Sequence, residues 1–121
     1  MAKILVGEDD NFLASAYRLK LTKAGFEVLV VGDGQEVVNA LSTFSPDVII
    51  LDLIMPVKDG FTTLAEIRAN PRNQNLPVLV ASNLGQKEDI DKAMQLGATD
   101  FIVKSDLHLA DVIEKIHALL K

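Results

Sequence analysis

Glu8, Asp9 and Asp10 stand together after a short apolar run, and a further acid, Asp52, interrupts "VIILDLIMP", residues 48–56, the most hydrophobic stretch of the chain. A carboxylate is expensive to bury without a partner, so Asp52 demands one. Ser82, Asn83 and Lys104 also follow apolar runs. Glu8, Asp9 and Asp52 held close together would repel one another, and their pKa values would rise. A hard divalent cation removes that repulsion, and ligands made only of oxygen suit Mg²⁺, which keeps several waters in its octahedral shell. Lys104 would add a second positive charge and Ser82 a small hydroxyl. A carboxylate so surrounded is equipped to attack a phosphorus atom. Metal and lysine neutralise the transferring phosphoryl oxygens, and the hydroxyl donates to one of them. Asp52 would then be the nucleophile and an acyl phosphate the product.

Taken singly, most of these residues have plainer explanations. Asp10 suits a helix cap, a task Asn11 could share. Glu8 and Asp9 could be solvated loop acids, Ser82 a turn residue and Lys104 a surface lysine. Asp52 is the residue that the plain explanation fits badly.

The elements that must position these side chains follow from the apolar pattern. Runs rich in β-branched residues at Lys3–Gly7, Glu27–Val31, Asp47–Leu51, Pro77–Ala81 and Asp100–Val103 read as strands. Longer stretches between them have helical spacing. The first helix is led by Phe12, Leu13, Ala16, Leu19 and Ala24, and the second by Val37, Val38 and Leu41. Leu64 and Ile67 lead the third; Ile90, Ala93 and Met94 the fourth; Leu109, Val112, Ile113, Ile116 and Leu120 the fifth. Gly25 and Gly97 fall where helices should stop, Pro46 and Pro77 precede strands, and Asp33-Gly34 marks a turn. Five strands alternating with five helices make an α/β fold, a doubly wound parallel sheet with helices on both faces. Right-handed crossovers place the loops after the strands along one edge, where ligands bind in such sheets. The acids, Ser82 and Lys104 all gather there.

The totals narrow the function. A chain of 121 residues, 49% hydrophobic and 24% charged, reads as one soluble domain spanning residues 1–121. A net charge of −5 argues against direct binding of nucleic acid. The absence of cysteine excludes disulfides, thiolate metal sites and a cysteine nucleophile. No apolar run approaches the roughly 20 residues that span a bilayer, and the acids come too early for a signal peptide. A cytoplasmic location without membrane contact is the expectation.

The sequence resembles the receiver domains of bacterial two-component response regulators, typified by the chemotaxis regulator. "KILVGEDD" is similar to the family's first strand and acidic pair, and "DVIILDLIMPVKDG" to its phosphoacceptor strand and following loop. "LPVLVAS" is similar to its fourth strand and switch hydroxyl, and "GATDFIVKS" to the approach to its lysine. The resemblance implies a flavodoxin-like three-layer sandwich with strand order 2-1-3-4-5. It implies that Asp52 is the phosphorylated residue, that Asp9 ligates Mg²⁺ directly, and that Glu8 acts mainly through water. Ile54 would offer the metal its backbone carbonyl. Ser82 and Lys104 would bind the phosphoryl group, and Phe101 is the rotating aromatic. Pro56, Asp59 and Gly60 match the turn after the acceptor strand, Gly60 supplying a backbone angle other residues resist. The partners implied are a histidine kinase or phosphotransfer protein and a downstream effector domain or protein, with a phosphorylation-dependent homodimer possible. The surface of helix four, strand five and helix five would carry the output.

Three positions depart from the family pattern. Gly7 stands where a bulky apolar residue is usual. Asn83 follows Ser82 where alanine or glycine is preferred, and its larger side chain could restrict access to Asp52. Ser105 follows Lys104 where a proline on a cis bond is usual. A cis bond before serine costs about 2.5–4 kcal/mol, so a trans bond, or a strained cis one, is expected. Phe101 also lacks the hydroxyl of the commoner tyrosine. The chain reads to Lys121 without an effector domain, as a regulator working alone or as a domain of a longer protein. His108 and His117 read as ordinary surface or boundary residues.

Other classes fit less well. A haloacid-dehalogenase-like phosphatase needs a second aspartate two residues after the nucleophile, where this chain has Ile54. Turnover of external substrate is therefore not expected, although autodephosphorylation is. A flavodoxin-like cofactor site wants a Ser/Thr/Gly-rich first loop, and "GEDDN" would repel a phosphate. A pseudo-receiver, a docking module that has lost phosphorylation, is the main alternative.

Overall fold

The computed structural model describes residues 1–106 and 108–121. Among them, five strands alternate with five helices: β1 (Lys3–Gly7), α1 (Asn11–Lys23), β2 (Glu27–Val31), α2 (Gly34–Phe44), β3 (Val48–Leu51), α3 (Gly60–Ala69), β4 (Val78–Ser82), α4 (Lys87–Gln95), β5 (Asp100–Val103) and α5 (Leu109–Leu119). The strands pair in parallel in the order β2-β1-β3-β4-β5. β3 and β4 each begin one residue later than the apolar runs suggest. Pro77 has no N–H to give a ladder, and Ser82 joins β4 by pairing with Val103.

Side chains alternate across the sheet, so each strand feeds two cores. Leu5, Ile49, Leu51, Val78 and Val80 pack with Val37 and Ala40 of α2, Leu64 and Ile67 of α3 and Ala93 of α4. Ile4, Val6, Val48, Ile50, Leu79 and Ala81 pack on the other face with Tyr17 and Leu21 of α1 and Val112 and Ile116 of α5. Three helices cover one face and two the other.

The stripe expected for the first helix is not the one that faces the core. Phe12 is 92% exposed and Leu19 61%, whereas Ala14, Tyr17 and Leu21 are buried. Leu13 is half-buried against the core, and Ala24 is the exposed residue capping the helix end. α1 has apolar residues all round, so a three-and-four spacing can be drawn along either face. Met94 of α4 and Leu120 beyond α5 are likewise exposed.

Three local expectations also change. Asp33 and Gly34 do not form a free turn; the Asp33 carboxylate accepts from the Glu36 amide at 2.8 Å and caps α2. Gly60 does not have a positive φ, as Gly25 and Gly97 do. Its requirement is space, because a Cβ there would lie 2.2 Å from the Asp52 carbonyl oxygen and 2.4 Å from Leu53 Cα. Gly7 is a second case of crowding. A Cβ would meet Val37 Cγ2 at 2.8 Å, so neighbouring side chains fill the room a larger residue would take. The described residues contain no cis peptide bond, which makes the Lys104–Ser105 bond trans.

Candidate functional site

The strands deliver the site as continuations of their ladders. The Glu8 amide bonds to the Val31 carbonyl at 2.9 Å, and the Asp52 amide to the Gly7 carbonyl at 3.0 Å. Each acid is thus held in extended register one residue past its strand. β1 and β3 are neighbours, so Glu8 and Asp52 arrive side by side at the carboxyl edge. Asp10 caps α1, its carboxylate accepting from the Phe12 and Leu13 amides at 2.9 and 3.2 Å. Asp59 caps α3 in the same way, accepting from the Thr62 amide at 2.9 Å.

Glu8 and Asp52 are 3% and 4% exposed, while Asp9 is exposed. Lys104, in a short 3-10 turn after β5, reaches across to both buried acids. Its Nζ lies 2.7 Å from Asp52 Oδ2, 2.7 Å from Glu8 Oε1 and 3.0 Å from Glu8 Oε2. The Asp10 amide donates to Glu8 Oε2 at 3.1 Å, and the Ile54 amide to Asp52 Oδ1 at 3.3 Å. Burial raises the Glu8 pKa above the ordinary carboxylate value, and the Lys104 and Asp10 hydrogen bonds only partly reverse this. Burial also works against the Lys104 ammonium, but its hydrogen bonds to Asp52 and Glu8 outweigh it, and the pKa rises. Lys104 is over-compensated by two carboxylates; Glu8 shares one ammonium and is under-compensated.

The charge count explains what else the site would accept. Glu8, Asp9 and Asp52 can each point a carboxylate oxygen into one place, all within 4.8 Å of one another. Three negative charges face a single ammonium. The donors are hard oxygens on an edge that Asp9 keeps open to solvent, a set that fits Mg²⁺ and its retained waters.

The other expected residues lie around this centre. Ser82 is fully buried at the end of β4, and its hydroxyl accepts from the Leu84 amide at 3.3 Å. Phe101 is half-buried on the α2–α4 face, packed against that core. The Ile54 side chain is exposed, as are Asn83 and Ser105. His108 precedes α5, and the exposed His117 leans on Phe26 with ring centroids 5.3 Å apart.

One residue beside the site escaped the reading of the sequence. Tyr17 is buried on α1, and among the described residues its hydroxyl is the buried side-chain polar atom without a hydrogen-bond partner. Its spacing from Ala14 and Leu21 marks the true inward face of α1, and that spacing was the available signal.

Fold and site together define a class: doubly wound α/β domains with an acid cluster and a lysine at the carboxyl edge of the sheet. The chain belongs to the response regulator receiver domain family, whose model matches residues 4–117. It is similar to the transcriptional regulatory protein QseB of Haemophilus influenzae, 34% identical over 119 residues, 98% of this chain and 52% of that protein. It is also similar to the DNA-binding dual master transcriptional regulator RpaA of a Synechocystis strain, 31% identical over 121 residues, the whole of this chain and 50% of that protein. The chain therefore spans about half the length of these curated relatives. Among solved structures, the Vibrio cholerae chemotaxis protein CheY4 superposes with a TM-score of 0.92 at 28% identity, covering 99% of both chains. No described helix is long and apolar enough to cross a membrane.

Proposed function

We propose that this receiver domain, residues 1–121, is a phosphoacceptor switch in which Asp52 takes a phosphoryl group from phosphohistidine on a kinase or phosphotransfer protein. The observation that carries the reading is the Lys104 ammonium at 2.7 Å from both the Asp52 and Glu8 carboxylates, two members of the three-acid cluster. Asp52 Oδ attacks the phosphorus atom, the P–N bond breaks, and the donor histidine leaves with the electron pair and takes up a proton. Mg²⁺, when bound by Asp9, Asp52 and the Ile54 carbonyl with Glu8 acting through water, supplies charge that screens the transferring oxygens. Lys104 leaves the Asp52 carboxylate for the phosphoryl oxygens, and Ser82 turns its hydroxyl toward them. The loop after β4 follows, Phe101 swings inward, and the face of α4, β5 and α5 changes for a downstream effector or a second copy of the chain.

Hydrolysis by water returns the carboxylate and inorganic phosphate, with no other substrate turned over. Asn83 and Ser105, exposed beside Ser82 and Lys104, modulate access and so the lifetime of the phosphoryl group. The switch works in the cytoplasm, where phosphohistidine donors are made.

Intact-protein mass spectrometry after incubation with acetyl phosphate and Mg²⁺ tests this directly. One phosphoryl adduct is expected, absent from Asp52→Asn and from a metal-free sample. A protein that binds Mg²⁺ yet forms no adduct is a docking module instead.

A further inference from the structure

Tyr17 is the single tyrosine of a chain without tryptophan, 1% exposed, and its hydroxyl has no partner among the described residues. A phenylalanine would fill the same space without burying an unpaired donor. Strand alternation puts the two buried acids on the same side of the sheet as Tyr17. Ile4 and Val6 of β1 point to the α1–α5 side, and Glu8 follows two residues later. Val48 and Ile50 of β3 point the same way, and Asp52 follows. Both acids keep the strand register, because their amides extend the ladders. Tyr17 packs in the cluster that contains Val6, Ile50 and Ala81, on the sheet face that Glu8 and Asp52 continue. After burial itself, the charges on Glu8 and Asp52 are what push the Tyr17 pKa upward, so the phenol lies within their field.

The bonds to Glu8 supply the reason for a spare donor. Its carboxylate receives the Lys104 ammonium at 2.7 and 3.0 Å and the Asp10 amide at 3.1 Å. If Lys104 moves to a phosphoryl group, the Asp10 amide is the donor from the described residues left to Glu8, beside the water through which it would serve the metal, a thin shell for a buried anion. We propose that Tyr17 is a positioning residue for the phosphorylated state: its hydroxyl donates to the Glu8 carboxylate when Lys104 leaves it. This rests on the phosphoacceptor reading given above. In the resting protein the hydroxyl is an unpaired donor; in the phosphorylated one it replaces the lysine.

Beryllofluoride with Mg²⁺, a stand-in for the phosphoryl group, supplies the test on the full chain. The near-UV absorption of the protein reports on Tyr17 among tyrosines and tryptophans, and a phenol that begins to donate to a carboxylate shifts its band to the red. That shift is expected on adding beryllofluoride, and not in Asp52→Asn. Tyr17→Phe is expected to bind beryllofluoride about tenfold more weakly, the worth of one hydrogen bond to a charged acceptor. Without beryllofluoride it should melt no lower than the parent, because it sheds an unpaired donor. A bound adduct with an unmoved tyrosine band overturns the proposal, as does unaltered affinity in Tyr17→Phe. A lower melting point of the resting variant also overturns it, since the hydroxyl would already be paired. If beryllofluoride binds no better to the parent than to Asp52→Asn, the phosphoacceptor reading fails, and this inference with it.

Discussion

Two half-buried cations, one near each edge of the sheet, are held in opposite ways. At the carboxyl edge, Lys104 faces carboxylates alone, those of Asp52 and Glu8. At the amino edge, Arg68 of α3 faces neutral carbonyls. Its Nε and Nη2 donate to Gly97 O at 2.9 and 2.7 Å, and its Nη1 to Asn73 O and Leu76 O, both at 2.6 Å. Burial draws the Arg68 pKa below the usual arginine value with no anion to restore it, whereas the two carboxylates carry that of Lys104 above the usual lysine value despite its burial. The planar guanidinium is a rigid fork matched to three fixed oxygens from two separate loops. The ammonium is a point charge on a flexible stem. One cation fastens the loops that lead into β4 and β5; the other ties together the acids that follow β1 and β3.

The strongest way to break this contrast is at Arg68. Arg68→Ala should lower folding stability by about 3 kcal/mol, because it strands three carbonyls and removes the stem packed on Gly97. Arg68→Lys should recover less than half of that in a denaturant titration, since one ammonium cannot span the three oxygens. A lysine variant as stable as the parent would remove the distinction between fork and point charge.

Lys104→Met should cost less, about 2 kcal/mol at neutral pH, by leaving Glu8 and Asp52 uncompensated on a partly open edge. Millimolar Mg²⁺ should restore part of this loss and none of that in Arg68→Ala. The pH dependence has a definite sign. Glu8 already titrates above its ordinary value of 4.5, and removing Lys104 takes away an influence that lowers it. A protonated Glu8 needs no lysine, so the deficit of Lys104→Met should widen as pH rises from below 4.5 toward neutrality. In the parent, the raised Lys104 pKa keeps its contribution intact from neutrality up to 10.5, to be lost as pH climbs through the folded value. A deficit that does not change with pH in thermal melts would show that packing, and not charge, accounts for the loss.

Two smaller substitutions set the scale. Asp59→Ala removes the cap of α3 and should cost about 1 kcal/mol. The Thr62 amide holds the Asp59 carboxyl below its ordinary value of 3.8, so the difference from the parent should persist above that value and fade as pH falls through the lower folded one. Lys87→Ala breaks the exposed pair with Asp91 on α4 and should cost about 0.3–0.5 kcal/mol, readable in a double-mutant cycle. A larger value there would mean that burial is not what separates Lys104 and Arg68 from an ordinary surface cation.

The same contrast shows why some parts of the molecule were legible in the sequence and others were not. β1 to β5 could be read because short β-branched runs bounded by Gly and Pro have few other uses, and the strand order came with the family resemblance. Asp52 stood out because a charge among Ile and Leu is anomalous. Asp10 was readable as a cap because capping is local chemistry. Arg68 was not readable, because an arginine near a helix end looks like a solvated surface residue until two carbonyls of the next loop and one from Gly97, 29 residues on, converge on it. Phe12 and Leu19 misled because α1 carries apolar residues on every side, and only the packed sheet selects Ala14, Tyr17 and Leu21 as its inner face. Gly60 was rightly singled out for the wrong reason: its neighbours, and not its dihedral angle, exclude a side chain.

That crowding has a consequence for how this chain can change over time. The segment bearing Asp52 is pinched between two glycines, Gly60 against the Asp52 and Leu53 backbone and Gly34 against the Lys58 carbonyl and Thr63 Oγ1. Neither can gain even a methyl group without displacing its neighbours between Asp52 and Thr63. The clearance of this segment is thus set by two hydrogen atoms. Mutational drift can remodel the rim of the site residue by residue, but at these two positions every single-step replacement must carry a rearrangement of the segment after Asp52 along with it.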